Sequence, residues 1–206
     1  MKKENQIPTQ ERLLLSATKL FALRGFDGAT TRAITTDAHA NLQSIPFYYE
    51  SKEKLYEAAL ERVAVLFMGS FESLFQEIDN AGEYGQLDKK TAWSYVIEIL
   101  GRLTEWVLNE QYRYELLLVN HDLLYPTQGI HKMMEPLARI YDYFARLLLI
   151  AAGSGDVFWA NSYSYSVIST FFTYNNMPIF LQTVLREDVT DPKVVQRARM
   201  QLKRCV

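Results

Sequence analysis

The chain has 206 residues, 49% of them hydrophobic, and a formal net charge of −2. That length fits one medium domain or a small domain fused to a larger one, and the apolar content supports a sizeable core and excludes a disordered chain. A single cysteine, Cys205, excludes an intrachain disulfide framework, and so small a net charge selects no class of partner by itself.

Met1-Lys2-Lys3 is followed by polar residues rather than the apolar run of a signal peptide. The most apolar stretch, Leu147 to Ala152, falls far short of the about 20 residues a membrane helix needs. A cytoplasmic protein with no membrane partner is expected. Residues 1–60 carry eight Lys/Arg against seven Asp/Glu, a net +1, which leaves −3 for the remainder. The asymmetry tilts the N-terminal part toward a nucleic-acid partner, weakly.

Nearly every segment has helical periodicity. Thr9 is placed to cap a first helix with Leu13, Ala17, Leu20 and Phe21 on one face, ended by Gly25. Thr30 or Thr31 caps a short second helix with Ala33, Ile34 and Ala38 inward. His39-Ala40-Asn41 forms a tight turn, and a third short helix covers about residues 43–49. Ser51 caps a long fourth helix whose apolar stripe is Leu55, Ala59, Val63, Leu66, Phe67, Phe71, Leu74 and Ile78. After the loop NAGEYGQLDKK, one face is expected to hold Trp93, Val96, Ile97, Leu100, Leu103 and Val107. Residues 111–124 form another helix, stopped by Pro126. The next stripe runs through Ile130, Met133, Met134, Leu137, Ile140, Tyr141, Phe144, Leu147 and Leu148, and Gly153-Ser154-Gly155 breaks it. Residues 156–174 are apolar on more than one face. A shorter helix spans about 178–187, and Asp191-Pro192 opens a last one.

Two short helices joined by a three-residue turn fit a helix-turn-helix, whose second helix enters the major groove of DNA. Ile45 and Tyr49, four apart, then point inward, and Gln43, Ser44, Pro46, Phe47 and Tyr48 face outward. Glutamine reads adenine, serine meets a base or a phosphate, and aromatic carbons meet a thymine methyl. A tyrosine hydroxyl reaches phosphate oxygens. Lys52, in the first turn of the fourth helix, is placed to meet the backbone, assisted by the free N–H groups of that helix end. Pro46 lies in the first turn of its helix, where no donor is lost. Each residue also has a plainer reading: Tyr49 as core, Tyr48 as core rather than DNA face, Lys52 and Lys54 as a solvated face, Thr31 as a cap.

The stretch TQERLLLSATKLFALRGFDGATTRAITTDAHANLQSIPFYYESKEKLY, Thr9 to Tyr56, resembles the DNA-binding region of the TetR/AcrR family of bacterial transcriptional regulators. The likeness rests on the run Ala17 to Ile34, the helix-turn-helix, and Tyr48 to Tyr56. Asn41 to Tyr56 is similar also to the CecR-like branch. It covers about a quarter of the chain. The resemblance implies a homodimer that binds a palindromic double-stranded DNA operator and responds to a small-molecule effector. It places DNA contacts on Thr31, Gln43, Ser44, Phe47, Tyr48 and Lys52. Two positions depart from the family pattern: His39 stands for the usual turn glycine, and Pro46 for the usual aromatic phosphate contact.

Beyond residue 90 the chain is rich in aromatics, which suit a core as readily as a pocket. A pocket needs a few polar groups in an apolar lining. On that reasoning a small-molecule site is expected to draw on Trp106, Arg113, Asn120, His121, Tyr141, Phe144, Phe171 and Tyr174. His131 and Glu135 have i, i+4 spacing, but two ligands are too few for a metal site. No nucleophile–base arrangement or phosphate loop is visible, so neither an enzyme nor a cofactor is expected.

The reading is therefore all-α. A three-helix helix-turn-helix DNA-binding domain covers residues 1–50, and a helical ligand-binding and dimerisation domain covers 51–206. The function expected is a ligand-responsive dimeric repressor. The alternative is an all-helical small-molecule carrier or enzyme whose N-terminal helices do not read DNA.

Overall fold

The computed structural model describes residues 7–82, 87–127, 129, 131–176, 191 and 193, without the side chains of 171–176. The expected helices over 178–187 and from Asp191-Pro192 onward lie outside the described residues apart from 191 and 193. Among the described residues every regular element is helical, and no strand is present.

In chain order the helices are α1 (Thr9–Gly28), α2 (Thr31–Asp37), α3 (Ser44–Tyr49), α4 (Lys52–Asn80), α5 (Lys89–Leu108), α6 (Arg113–Leu124), α7 (His131–Ala152) and α8 (Val157–Asn176). A 3₁₀ turn, Glu110–Tyr112, leads into α6, where the sequence suggested one helix from residue 111. The chain forms two compact units, Met1–Val65 with Tyr114–Met134, and Leu66–Arg113 with Glu135–Val206. The division expected at residue 50 falls inside the first unit.

In the first unit, Leu13, Ala17, Leu20, Phe21, Ile34, Ala38, Ile45, Leu55 and Ala59 are buried. Tyr56 meets Phe21 and Phe26 edge to face around this core, with ring centres 4.8 Å apart for Phe21–Tyr56 and 5.3 Å for Phe26–Tyr56. Gly25 interrupts α1 with φ 70° and ψ 175°, a left-handed conformation open to glycine. A Cβ there would lie 2.7 Å from His121 Nε2, so the close approach also requires glycine. Thr9 is not the cap of α1. Extended Pro8 precedes the helix, and the Thr9 hydroxyl accepts from Arg12 instead. Thr30 caps α2 through the Ala33 N–H at 3.1 Å, and Ser51 caps α4 through the Lys54 N–H at 3.2 Å.

In the second unit, Phe67, Phe71, Leu74, Phe75 and Ile78 of α4 are buried, as are Ile140, Phe144, Leu147 and Leu148 of α7. Leu66 is exposed, against expectation, as is Met134 at the end of the first unit. The buried face of α5 also differs from the expected one. It runs through Ala92, Val96, Ile99, Leu103 and Trp106, and Trp93 is 41% exposed. The helix carries two adjacent apolar stripes. It buries the one with Trp106, whose indole N–H donates to Ser70 Oγ at 2.8 Å and so enters the interior with its polar atom satisfied.

Candidate nucleic-acid interface

The site forms around α3, six residues long, of which only Ile45 is buried. One inward anchor leaves the rest of a short helix free to meet a partner. Phe47 is 79% exposed and Tyr48 39% exposed, and the two rings meet edge to face at 4.8 Å. An apolar ring so exposed on a well-formed helix is costly in water and suits a partner surface with methyl groups.

Gln43 precedes α3, one residue later than the expected helix start, and lies exposed with its own N–H donating to Asn41 Oδ1 at 3.1 Å. Its side-chain amide makes no capping bond to the helix. Tyr49 is half-buried rather than core. Its hydroxyl donates to the Gln10 carbonyl at 2.9 Å and ties the end of α3 to the first turn of α1. Burial is the main cause that pushes this hydroxyl above its ordinary pKa, so it remains a donor.

A shallow groove of about 270 Å³ is lined by Thr31, Leu42, Gln43, Ile45, Pro46, Glu50, Ser51 and Lys52. It brings Thr31, Gln43 and Lys52 together from three different elements. The Lys52 ammonium sits 4.3 Å from the centre of the Phe26 ring, an aromatic platform that limits where the charge can go. Lys54 differs. It forms an exposed pair with Glu57 at 2.8 Å. Ser44 is partly exposed at the start of α3, outside the lining of that groove.

Around this surface α1 and α2 are held by Lys19 and Asp37 at 2.7 Å. The Lys19 ammonium keeps the Asp37 carboxyl below its usual range. Two contributors escaped the sequence reading. Phe26 was visible only as an aromatic beside a glycine. Arg12, not singled out in the sequence, donates to the Ala38 and His39 carbonyls before α3.

The eight expected ligand residues separate. Asn120 and His121 belong to the first unit; Trp106, Arg113, Tyr141 and Phe144 belong to the second. The side chains of Phe171 and Tyr174 lie outside the described residues. Trp106 and Phe144 are buried, and Trp106 stacks on Tyr112 at 4.0 Å. Tyr141 is half-buried, its ring 6.3 Å from that of Tyr165. The Arg113 side chain is 62% exposed and faces Glu110 at 3.9 Å. In the first unit His121 lines an open cleft of about 580 Å³ with Arg24, Phe26, Tyr125 and Thr127 among its neighbours. Asp122 is fully buried; its Oδ1 accepts from the Tyr56 hydroxyl at 2.8 Å and from the Thr127 hydroxyl at 2.7 Å. Burial and this carboxylate together push the Tyr56 hydroxyl pKa far up, so Tyr56 donates at any ordinary pH. Among the described residues no group of three or more His, Cys, Asp or Glu could hold a metal ion, and no helix is long and apolar enough to cross a membrane.

Residues 13–59 match the family model described as bacterial regulatory proteins, tetR family. The HTH-type transcriptional repressor NicS of Pseudomonas putida is 37% identical over 59 residues, which is 29% of this chain and 28% of that repressor's length. A transcriptional regulator from Streptomyces coelicolor superposes with a TM-score of 0.61, covering 94% of this chain and 95% of that one at 19% identity. A TetR-like regulator from Rhodococcus gives 0.63 over 84% and 86% at 16% identity. The regulator FadR of Bacillus subtilis, solved with stearoyl-CoA, gives 0.61 over 93% and 96% at 14% identity. These structural likenesses are likenesses of fold.

Proposed function

We propose that this chain, whose residues 13–59 match the tetR family model, is a dimeric transcriptional repressor released from a palindromic operator by a small molecule. The observation that carries this is α3. One residue of it is buried, its aromatic pair is exposed, and the groove beside it gathers Thr31, Gln43 and Lys52.

In this reading α3 lies in the major groove. Gln43 reads a base edge, Phe47 meets a thymine methyl, and Tyr48, Ser44, Thr31 and Lys52 hold phosphates. The repression by NicS, which shares the head region, supports the sign of regulation. Two copies are required to read a palindrome, with recognition helices about 34 Å apart or a multiple of a helical turn. The exposed aromatics of α8 support a twofold partner: Phe158 is 80% exposed and Tyr165 67% exposed, seven residues apart on one helical face.

The small molecule acts as a population shift. It favours a spacing of the two heads that mismatches the operator, and it weakens DNA binding by its difference in affinity for the two states and by no more. The acyl-CoA bound by FadR supports a small-molecule effector for this fold. Trp106, Tyr141 and Phe144 supply apolar candidates for its site in the second unit.

Selection from random duplexes at two salt concentrations tests the reading. The expected result is a palindromic consensus whose affinity falls steeply with salt, because phosphate contacts release counterions. Absence of any enriched sequence overturns it.

A further inference from the structure

We infer that Arg12 is a positioning residue for α3, and that it compensates for a histidine in the helix-turn-helix turn. The consequence for operator affinity rests on the DNA-binding reading above; the consequence for the turn does not.

His39 has φ 49°, the left-handed region, where a Cβ crowds the backbone. Glycine would adopt it freely, so this turn needs support from elsewhere. The Arg12 side chain supplies it. Its Nε–H donates to the Ala38 carbonyl at 3.0 Å, and Nη2 donates to the His39 carbonyl at 3.4 Å. Those carbonyls stand at the C-terminal end of α2, where the helix leaves acceptors unfilled and the dipole favours a cation. Only a guanidinium offers planar, fixed donors suited to two neighbouring carbonyls at once. Its remaining bonds fix the side chain itself: Nη1 donates to the Ile7 carbonyl at 2.8 Å, and Nη2 to Thr9 Oγ1 at 3.2 Å.

The same turn of α1 also holds the other end of α3, through the Tyr49 hydroxyl on the Gln10 carbonyl. The first turn of α1 thus holds both the turn that leads to the recognition helix, through Arg12, and the end of that helix, through the Gln10 carbonyl. Four of the guanidinium's donor directions end on this chain's own oxygens. Arg12 therefore acts through the turn rather than on a DNA phosphate.

The test compares Arg12→Gln in two backgrounds, the natural one and His39→Gly. With the selected operator, Arg12→Gln is expected to lower affinity about tenfold in the natural background. With glycine at 39 the turn no longer needs holding, and the loss is expected to shrink to about twofold. The slope of log affinity against log salt stays unchanged in both. In the free protein, Arg12→Gln is expected to speed amide exchange at Ala40 and Ser44, and less so with His39→Gly. An equal loss in the two backgrounds overturns the inference. So does a shallower salt slope, about 0.9 per half-site, which would make Arg12 a phosphate contact. If the unmodified protein enriches no DNA, the repressor reading fails, and the exchange rates alone decide the role of Arg12. Should Arg12→Gln not fold, Arg12→Lys, which reaches one carbonyl, enters the same comparison with the same expected order.

Discussion

Replacing Lys52 by Met keeps the aliphatic stem and removes the charge. The ammonium stands beside the Phe26 ring at the mouth of the groove that holds Thr31 and Gln43, in the first turn of α4. A phosphate held there contributes about 0.9 to the salt slope, and a dimer on a palindrome makes the contact twice, so the slope should become shallower by about 1.8. Between 0.05 M and 0.2 M salt the cost of Lys52→Met should therefore shrink by about twelvefold. The loss should be the same for every variant of the operator, since phosphate carries no base identity. Fluorescence anisotropy with a labelled duplex at four salt concentrations measures all of this. A loss that is constant across salt, or confined to one operator sequence, would refute the placement of Lys52 at the backbone. Phe26→Leu gives an internal control. It leaves the charge and removes the platform, so the salt slope should hold while affinity falls by a few-fold, in line with about 0.5–1 kcal/mol for an exposed cation–π contact.

Gln43→Ala should relax discrimination at one base pair per half-site, by about 1–3 kcal/mol, whereas Tyr48→Phe should weaken all sequences alike; a competition assay over single-base operator variants separates the two. Gly25→Ala meets both a left-handed backbone and the His121 ring, and should cost about 2–4 kcal/mol. Gly101→Ala, with nothing within 4 Å of the new Cβ, should be stabilising by up to about 1 kcal/mol, and thermal melts of the pair give the opposite signs. Asp37 has its pKa lowered by Lys19, so the pair stabilises above the ordinary carboxylate value of 3.8 and the benefit is lost as pH falls through the lowered value. The melting-temperature gap between Asp37→Asn and the unmodified protein should hold from pH 6 down to about 3.8 and narrow below it, and a gap that stays constant on further acidification would count against the pair. Tyr56→Phe removes one donor from buried Asp122 and should lower the melting temperature, at about 1–3 kcal/mol.

The head was legible because its signals are local. Ser51 and Thr30 announce helix starts by side-chain capping, Gly25 announces a break, and Ile45 is the one apolar anchor in a run otherwise suited to an interface. Those features need no knowledge of a distant neighbour. The face of α5 was not legible for the opposite reason. Trp93, Ile97 and Leu100 make as good a stripe as Ala92, Ile99 and Trp106. Partners elsewhere in the sequence favour the second: Ser70 accepts the Trp106 N–H, and the Phe67 ring meets the indole. Arg113 illustrates the same limit among the candidate ligand residues. A cation beside apolar residues looks like a pocket group, but the Arg113 side chain is 62% exposed, beside Glu110. Arg12 was missed because its partners are backbone carbonyls, which leave no trace in side-chain type.

The expected effector response also constrains where coupling must run. Trp106, Tyr141 and Phe144, the proposed ligand residues, belong to the second unit, and the proposed DNA surface belongs to the first. Helices α4, α6 and α7 each have residues in both units. Within the first unit α6 is fastened to the head by three distinct means. Glu115 pairs with Arg62 at 3.0 Å, His121 lies against Gly25, and Asp122 accepts from Tyr56, whose ring abuts Phe26. Phe26 in turn lies beneath Lys52. A shift of α6 thus meets buried, well-oriented contacts rather than a sliding apolar face, and packed cores of this kind move between discrete arrangements rather than deforming smoothly. Coupling of about 1–3 kcal/mol, typical for linked sites, is of the same size as one of these contacts, so under the proposed function the loss or exchange of a single one would match the response asked of the head.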